Sequence, residues 1–247
     1  MADRRRSGPN ADASGRRAVP RHIAIILDGN GRWAKKRGLP RTAGHSAGAE
    51  TFRRIARYCR DIGVEYLTVY AFSTENWKRS QDEVTALMGL LKKYLLEAID
   101  SMEQEHTKLF VMGDLSRLSP ELQELSRRAL ETAQRVTGMQ VNVCFNYGGR
   151  DEIVRAARKY AEDYAAGKVG ALDEALFSAY LDSAGIPDPE LLIRPGGELR
   201  SSNFLPWQTA YAEYWFTDTL WPDFSPQEID AAIDALNRRE RRFGNAK

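Results

Sequence analysis

Asp28-Gly29-Asn30-Gly31-Arg32-Trp33 follows the apolar run Ile23 to Leu27, so a carboxylate, two polar donors and two glycines stand where a buried strand would end. Glycines permit close backbone approach, and Asn30 and Arg32 supply donors, a set suited to an anionic group. On these six residues alone an ordinary Asp-Gly/Asn-Gly turn is the plainer alternative. Three further polar segments lie just beyond apolar runs: Ser73-Thr74-Glu75-Asn76-Trp77-Lys78-Arg79, Asn146-Tyr147-Gly148-Gly149-Arg150, and Arg194 to Asn203. In an open α/β sheet all four would gather at the carboxyl edge of the strands. Arg41, His45, Arg79, Arg194 and Arg200 would then converge on one cleft, a composition matched to phosphate or diphosphate oxygens. Asp28 and Glu213 offer hard oxygen ligands, and magnesium usually bridges a carboxylate and substrate phosphates. The expected chemistry is therefore diphosphate binding assisted by Mg2+. Neither Gly-x-x-x-x-Gly-Lys-Ser/Thr nor Gly-x-Gly-x-x-Gly occurs, which argues against nucleotide hydrolysis and dinucleotide binding.

These segments need a scaffold, and the apolar periodicity supplies one. Strands are expected at Ile23 to Leu27, Tyr66 to Phe72, Leu109 to Met112, Val141 to Phe145 and Leu191 to Ile193, with an aromatic run from Tyr211 to Phe216. Helical spacing appears from Phe52 to Ile62, along Val84 to Met102, from Leu122 to Val136 behind Ser119-Pro120, from Asp151 to Ala165, near Leu172 to Ala184, and from Pro226 to Arg242. Alternating strands and helices imply a single α/β domain with a central, mostly parallel six-stranded sheet flanked by helices.

Composition narrows the class. The 247 residues are 43% hydrophobic, enough for one large domain, and the net charge of +2 comes from interleaved acids and bases, which argues against nucleic acid as a partner. Cys59 and Cys144 lack metal-ligand spacing and read as reduced core residues. A cytoplasmic protein is expected. Residues 1–20 read as a disordered basic tail, solubilising in character, whose Arg4, Arg5, Arg6, Arg16 and Arg17 also suit peripheral contact with an anionic membrane face.

Several motifs in fixed order carry a resemblance. His22 to Trp33, Arg41-Thr-Ala-Gly-His45, Tyr70-Ala-Phe-Ser-Thr-Glu-Asn-Trp77, Asn146 to Arg150, Ile193-Arg194 with Gly196-Gly-Glu198, and Arg200-Ser-Ser-Asn-Phe204 together resemble the cis-prenyltransferases, and most nearly the bacterial undecaprenyl diphosphate synthases, over residues 21 to 244. The resemblance implies a magnesium-dependent, homodimeric enzyme that extends an allylic diphosphate, typically farnesyl diphosphate, with isopentenyl diphosphate units and new Z double bonds. It implies Asp28 and Asn76 as catalytic residues, with Asp28 and Glu213 at the metal. Gly29, Asn30, Gly31, Arg32, Trp33, Arg41 and His45 would serve the allylic diphosphate, with packing the plainer role for Trp33, and Arg194, Arg200 and Ser202 the isopentenyl diphosphate. Ser73, Thr74, Glu75, Trp77, Arg79 and Glu83 would belong to a closing loop and helix start.

The resemblance also gives the stripe from Val84 to Met102, facing Ala71 and Val143, a role as walls of an apolar tunnel. Arg242 and Gly244 resemble an Arg-x-Gly element that reaches a neighbouring active site across the dimer, with Tyr211 to Phe216 and Trp221 at the interface or buried within the same subunit. Short- or medium-chain synthases and a non-catalytic partner subunit of the same fold are the alternatives. Two positions depart from the family pattern: Pro195 stands where Thr is usual, and Pro206 where Leu is usual. Pro195 removes a donor and a hydroxyl beside Arg194.

Overall fold

The computed structural model describes residues 18–238. Six strands form one sheet: β1 (His22–Ile26), β2 (Tyr66–Ser73), β3 (Thr107–Met112), β4 (Met139–Tyr147), β5 (Leu191–Arg194) and β6 (Glu213–Phe216). Their order is β3-β4-β2-β1-β5-β6 and every pairing is parallel. The helices are α1 (Asn30–Lys36), α2 (Arg41–Asp61), α3 (Gln81–Glu105), α4 (Pro120–Ala133), α5 (Gly149–Ala165), α6 (Glu174–Ser178) and α7 (Pro226–Asn237). Central β1 pairs with β2 on one side and β5 on the other, and the connections β1 to β2 and β5 to β6 run outward in opposite directions. Its carboxyl end is thus the switch point at which open parallel sheets bind ligands.

Strand alternation divides the core in two. Ile23, Ile25, Leu67, Val69, Val143 and Ile193 face a large cluster with Ile55 of α2, Leu91 and Leu95 of α3, Leu122 of α4 and Ile229 of α7. Ala24, Ile26, Tyr70, Cys144 and Leu192 face the other way, beneath Phe204 and Leu205. Each fully buried Ile or Leu contributes about 2 kcal/mol from apolar area removed from water. Both cysteines are free and buried. Among the described residues no helix is long and apolar enough to cross a membrane.

The elements differ from the sequence expectation in four places. Asn30–Lys36 is a helix, not a loop, held by packing on α2. That second helix begins at Arg41 behind extended Pro40, well before the periodic stretch that announced it. The helix expected near Leu172 to Ala184 shrinks to Glu174–Ser178: the Asp173 carboxylate caps its start, and the Asp182 amide is taken by the Glu152 carboxylate at 2.9 Å. The folded chain also begins earlier than residue 21. Val19 packs on the large core, Pro20 is buried, and the Ala18 carbonyl accepts from Asn237 Nδ2 at 2.9 Å. The expected basic tail with its arginines, and Arg242 with Gly244, lie outside the described residues.

Candidate active site

Asp28 leaves the end of β1 with its amide bonded to the Ile26 carbonyl at 2.9 Å. Gly29 follows at φ +108°, where a Cβ would press on Leu220 at 3.0 Å. A side chain there would meet both backbone strain and a clash, so the turn into α1 requires glycine. Helix α1 then lies against α2 at a spacing only small residues allow. A Cβ on Gly44 would stand 2.1 Å from the Asn30 carbonyl, and one on Gly48 2.2 Å from Asn30 Oδ1. This contact carries Arg41 and His45, one helical turn apart, alongside the Asp28 turn.

The result is a cleft of about 590 Å³ at the carboxyl edge of the sheet. Asp28, Gly29, Asn30, Gly31 and Arg32 form one wall, with Arg41 and His45 beside them; Ser73, Glu75, Asn76 and Arg79 form a second, and Arg194, Arg200, Ser202 and Asn203 a third. Five arginines thus face a space that also exposes the Asp28 carboxylate. Each Asp28 oxygen already has a partner: Oδ2 accepts from Arg194 at 2.9 Å, and Oδ1 from Arg32 at 3.3 Å. Arg194 is buried, donates to Ser202 Oγ at 2.7 Å and to the Arg200 carbonyl, and its Nε has no partner among the described residues. A buried, unpaired guanidinium donor beside the cleft suits an incoming anion. Arg200 is more exposed and is paired with Glu198 at 2.5 Å.

The opposite wall is organised around Glu83, which sequence reasoning placed only at the start of a closing helix. The Glu83 side chain is buried, yet it receives His45 Nε2 at 2.9 Å, Arg79 at 2.8 Å and Arg41 at 3.4 Å. Burial alone would raise its carboxyl, but the His45 hydrogen bond and the charges of Arg79 and Arg41 outweigh it and hold it below the ordinary carboxylate range. His45 is pushed below the ordinary imidazole range by burial, with the Arg79 and Arg41 charges adding and Glu83 opposing. Neutral His45 therefore donates its Nε2 proton to an ionised Glu83. The signal in the sequence is the four-residue spacing of Arg79, in extended backbone just before the Ser80 cap, and Glu83 in the first turn of α3.

Several expected residues stand elsewhere. Trp33 turns away from the cleft, donating Nε1–H to Asp223 at 2.7 Å beneath Arg37, whose guanidinium lies 4.1 Å from the ring centre. Trp77 bonds Asn146 at 2.7 Å and packs edge-on to Phe72, so it anchors its segment and does not line the cleft. Thr74 sits against Gly148. Glu213 lies opposite Leu191, three residues before the Arg194 level, in a parallel strand pair. That places it at the amino edge of the sheet, about 10 Å along the strand from the ends that carry the cleft, so a single chain does not bring Glu213 to Asp28. Trp221 is fully buried in its own chain, bonded to the Gly48 carbonyl at 2.8 Å, and is no interface residue. Pro195 is buried behind Arg194, whose own carbonyl still accepts from the Thr217 amide at 3.2 Å.

Beyond Leu27, Asn30, His45 and Ala71 the cleft continues into an apolar cavity of about 110 Å³, walled by Leu87, Leu91 and Leu95 of α3, Val143 of the sheet, and Ala49 and Phe52 of α2. Phe52, Tyr94 and Leu109 separate it from an outer cavity of about 420 Å³. An arginine-rich cleft opening onto an apolar cavity suits anionic head groups with apolar tails.

Residues 26–244 match the family model described as putative undecaprenyl diphosphate synthase. The chain is 49% identical over 231 residues to an isoprenyl transferase of Clostridium perfringens, covering 93% of this chain and 91% of that one. It is 51% identical over 232 residues to one of Heliobacterium mobile, covering 93% and 89%. Among solved structures, lavandulyl diphosphate synthase from Lavandula x intermedia in complex with dimethylallyl diphosphate superposes with a TM-score of 0.87 at 36% identity, over 92% of this chain and 98% of that one. A probable undecaprenyl diphosphate synthase from Campylobacter jejuni gives 0.77 at 34%, over 92% and 100%. The chain belongs to the cis-prenyltransferase family, enzymes that condense isopentenyl diphosphate onto an allylic diphosphate.

Proposed function

We propose that this enzyme makes a long-chain Z-polyprenyl diphosphate, of undecaprenyl length, from farnesyl diphosphate and successive isopentenyl diphosphate units. Such a product is the precursor of a lipid carrier for cell-wall synthesis. The observation that supports this most is the continuity of the arginine-lined cleft with an apolar cavity between α2, α3 and the sheet, which points towards a second, outer cavity beyond Phe52, Tyr94 and Leu109. A growing hydrocarbon tail needs such a dry path, because each methylene kept from water stabilises the complex by about 0.8 kcal/mol.

In this reading Arg32, Arg41 and His45, with the backbone of Gly29 to Gly31, hold the allylic diphosphate, and Arg194, Arg200 and Ser202 hold the isopentenyl diphosphate. The arginines stabilise negative charge as it develops on the departing diphosphate. Ser73 and Asn76, whose side-chain oxygen accepts from the Ser73 amide at 3.2 Å, lie on the path by which the proton leaves the new carbon–carbon bond. Magnesium fits the donor set through one carboxylate: Asp28 faces the cleft, and no cluster of three potential ligands occurs among the described residues. Asp28 and substrate phosphates would hold the ion, which would neutralise diphosphate charge.

The enzyme works as a homodimer in the cytoplasm, with the product released at the inner face of the membrane. The half-buried edge strand β6 and the exposed Tyr211 beside it support such an interface. Incubation with farnesyl diphosphate, labelled isopentenyl diphosphate and Mg2+, followed by dephosphorylation and separation by length, tests the reading. Products of about eleven isoprene units are expected; short products would select the short-chain alternative, and no incorporation would select the non-catalytic subunit.

A further inference from the structure

The segment Asn146 to Arg150 contributes no side chain to either diphosphate in the reading above, yet it touches both halves of the cleft. Asn146, at φ +48°, donates to the Asp114 carbonyl at 2.6 Å and accepts from Trp77 Nε1 at 2.7 Å, which ties down the far end of the Thr74–Lys78 turn. Three residues on, the Gly149 amide donates to the Asn203 carbonyl at 2.8 Å, and the Arg150 amide donates to Asn203 Oδ1 at 2.9 Å. A Cβ on Gly149 would stand 1.9 Å from Pro206 Cδ, so the two segments meet at glycine distance.

Asn203 lies within an unusual turn. Ser202, Asn203 and Leu205 adopt φ of +50°, +65° and +49°, the left-handed region that side chains rarely occupy. Such geometry persists where the surroundings over-determine it. Here the same turn aims Ser202 Oγ at Arg194, 2.7 Å away. The remaining Asn203 donor, Nδ2, reaches Glu75 Oε1 at 3.4 Å. That bond is long for N–H···O, so a small displacement makes or breaks it. The joint to α5 is firm, and the joint to Glu75 is weak.

We propose that Asn203 is a positioning residue that fixes the Arg200–Ser202 turn on the start of α5 and, through Glu75, couples the isopentenyl diphosphate half of the cleft to the segment Ser73 to Arg79. The proposal rests on the two-diphosphate reading of the cleft. Asn203→Asp keeps the acceptor for the Arg150 amide but sets a second carboxylate against Glu75. Adding Glu75→Gln restores a donor and an acceptor with their roles exchanged.

The experiment measures initial rates with farnesyl diphosphate, labelled isopentenyl diphosphate and Mg2+ for the wild type, Asn203→Asp, and Asn203→Asp with Glu75→Gln. The expected result is a KM for isopentenyl diphosphate raised about tenfold in the single variant, with the thermal midpoint little changed, and returned to within about threefold of wild type in the double variant. A KM unmoved by Asn203→Asp, or a double variant no better than the single one, overturns the proposal. If the wild type itself incorporates no isopentenyl unit, the two-diphosphate reading fails first, and this assignment with it.

Discussion

Asp28 and Glu83 are two carboxylates that gather arginines on opposite walls of one cleft, and they differ in what surrounds them. Asp28 is partly exposed and holds Arg194 and Arg32 from the cleft side. Glu83 is sealed by α2 and α3 and holds His45, Arg79 and Arg41 from behind. An exposed carboxylate can exchange a guanidinium for a metal ion or admit a substrate phosphate at modest desolvation cost. A buried one cannot, because any lost partner leaves an uncompensated charge. One site is therefore built to change partners, and the other to keep two arginines and a neutral histidine in place while the first does so.

Removing each carboxylate should separate these roles. Asp28→Ala should lower turnover about a thousandfold or more, measured by isopentenyl incorporation, and should also lower the unfolding midpoint, because it leaves the buried Arg194 guanidinium without its carboxylate; near-normal turnover would dissolve the distinction. Glu83→Gln should instead raise the KM for the allylic diphosphate, because Arg41, Arg79 and His45 lose the carboxylate they share, at a cost of only about 1–2 kcal/mol in urea denaturation since both arginines reach solvent. A KM for the allylic diphosphate unmoved by Glu83→Gln would remove the contrast.

Acid should act on the buried side first. His45 and His22 are both held neutral, chiefly by burial, with His22 lowered to about 4 between Thr68 and the Pro187 carbonyl. The unfolded chain binds these protons near 6.5, so stability falls as pH drops from there towards 4. His22 alone should contribute a loss of about 2 kcal/mol between pH 7 and pH 5, measured by urea midpoints, and His22→Asn should flatten that slope. Glu83, held below its ordinary range, adds a further loss only on stronger acidification.

Arg200→Ala tests the exposed wall more gently. It should raise the KM for isopentenyl diphosphate about tenfold and that for the allylic substrate much less; the reverse ranking would mean the two diphosphate sites are exchanged. The smallest effect belongs to Trp33→Phe. Its ring points to Asp223, so kcat/KM should stay within about twofold of wild type.

Much of the fold was legible because its signals are local. The Ile23 to Leu27 run, the α3 stripe and the Ser119-Pro120 cap each declare an element through periodicity or capping, and the Ser119 hydroxyl does accept from the Leu122 amide at 3.3 Å. Helix α1 was hidden because seven residues with two glycine neighbours form a helix only against α2. The tryptophans are hard to place for a related reason. Trp33 and Trp77 lie within motifs that line the cleft, but a helix or tight turn sends neighbouring side chains in different directions, and only their partners Asp223 and Asn146 reveal which way.

The sequence by itself determined the alternating elements, the four polar segments at strand ends and the family to which they belong, since each depends on residue types a few positions apart. The tertiary structure decided which carboxylates meet those segments. The parallel register carries Glu213 to the amino edge of the sheet, and the packing of α2 on α3 closes Glu83 behind His45, Arg79 and Arg41. Register and helix packing join residues far apart in the chain, and the spacing of residue types along the chain does not encode those distances.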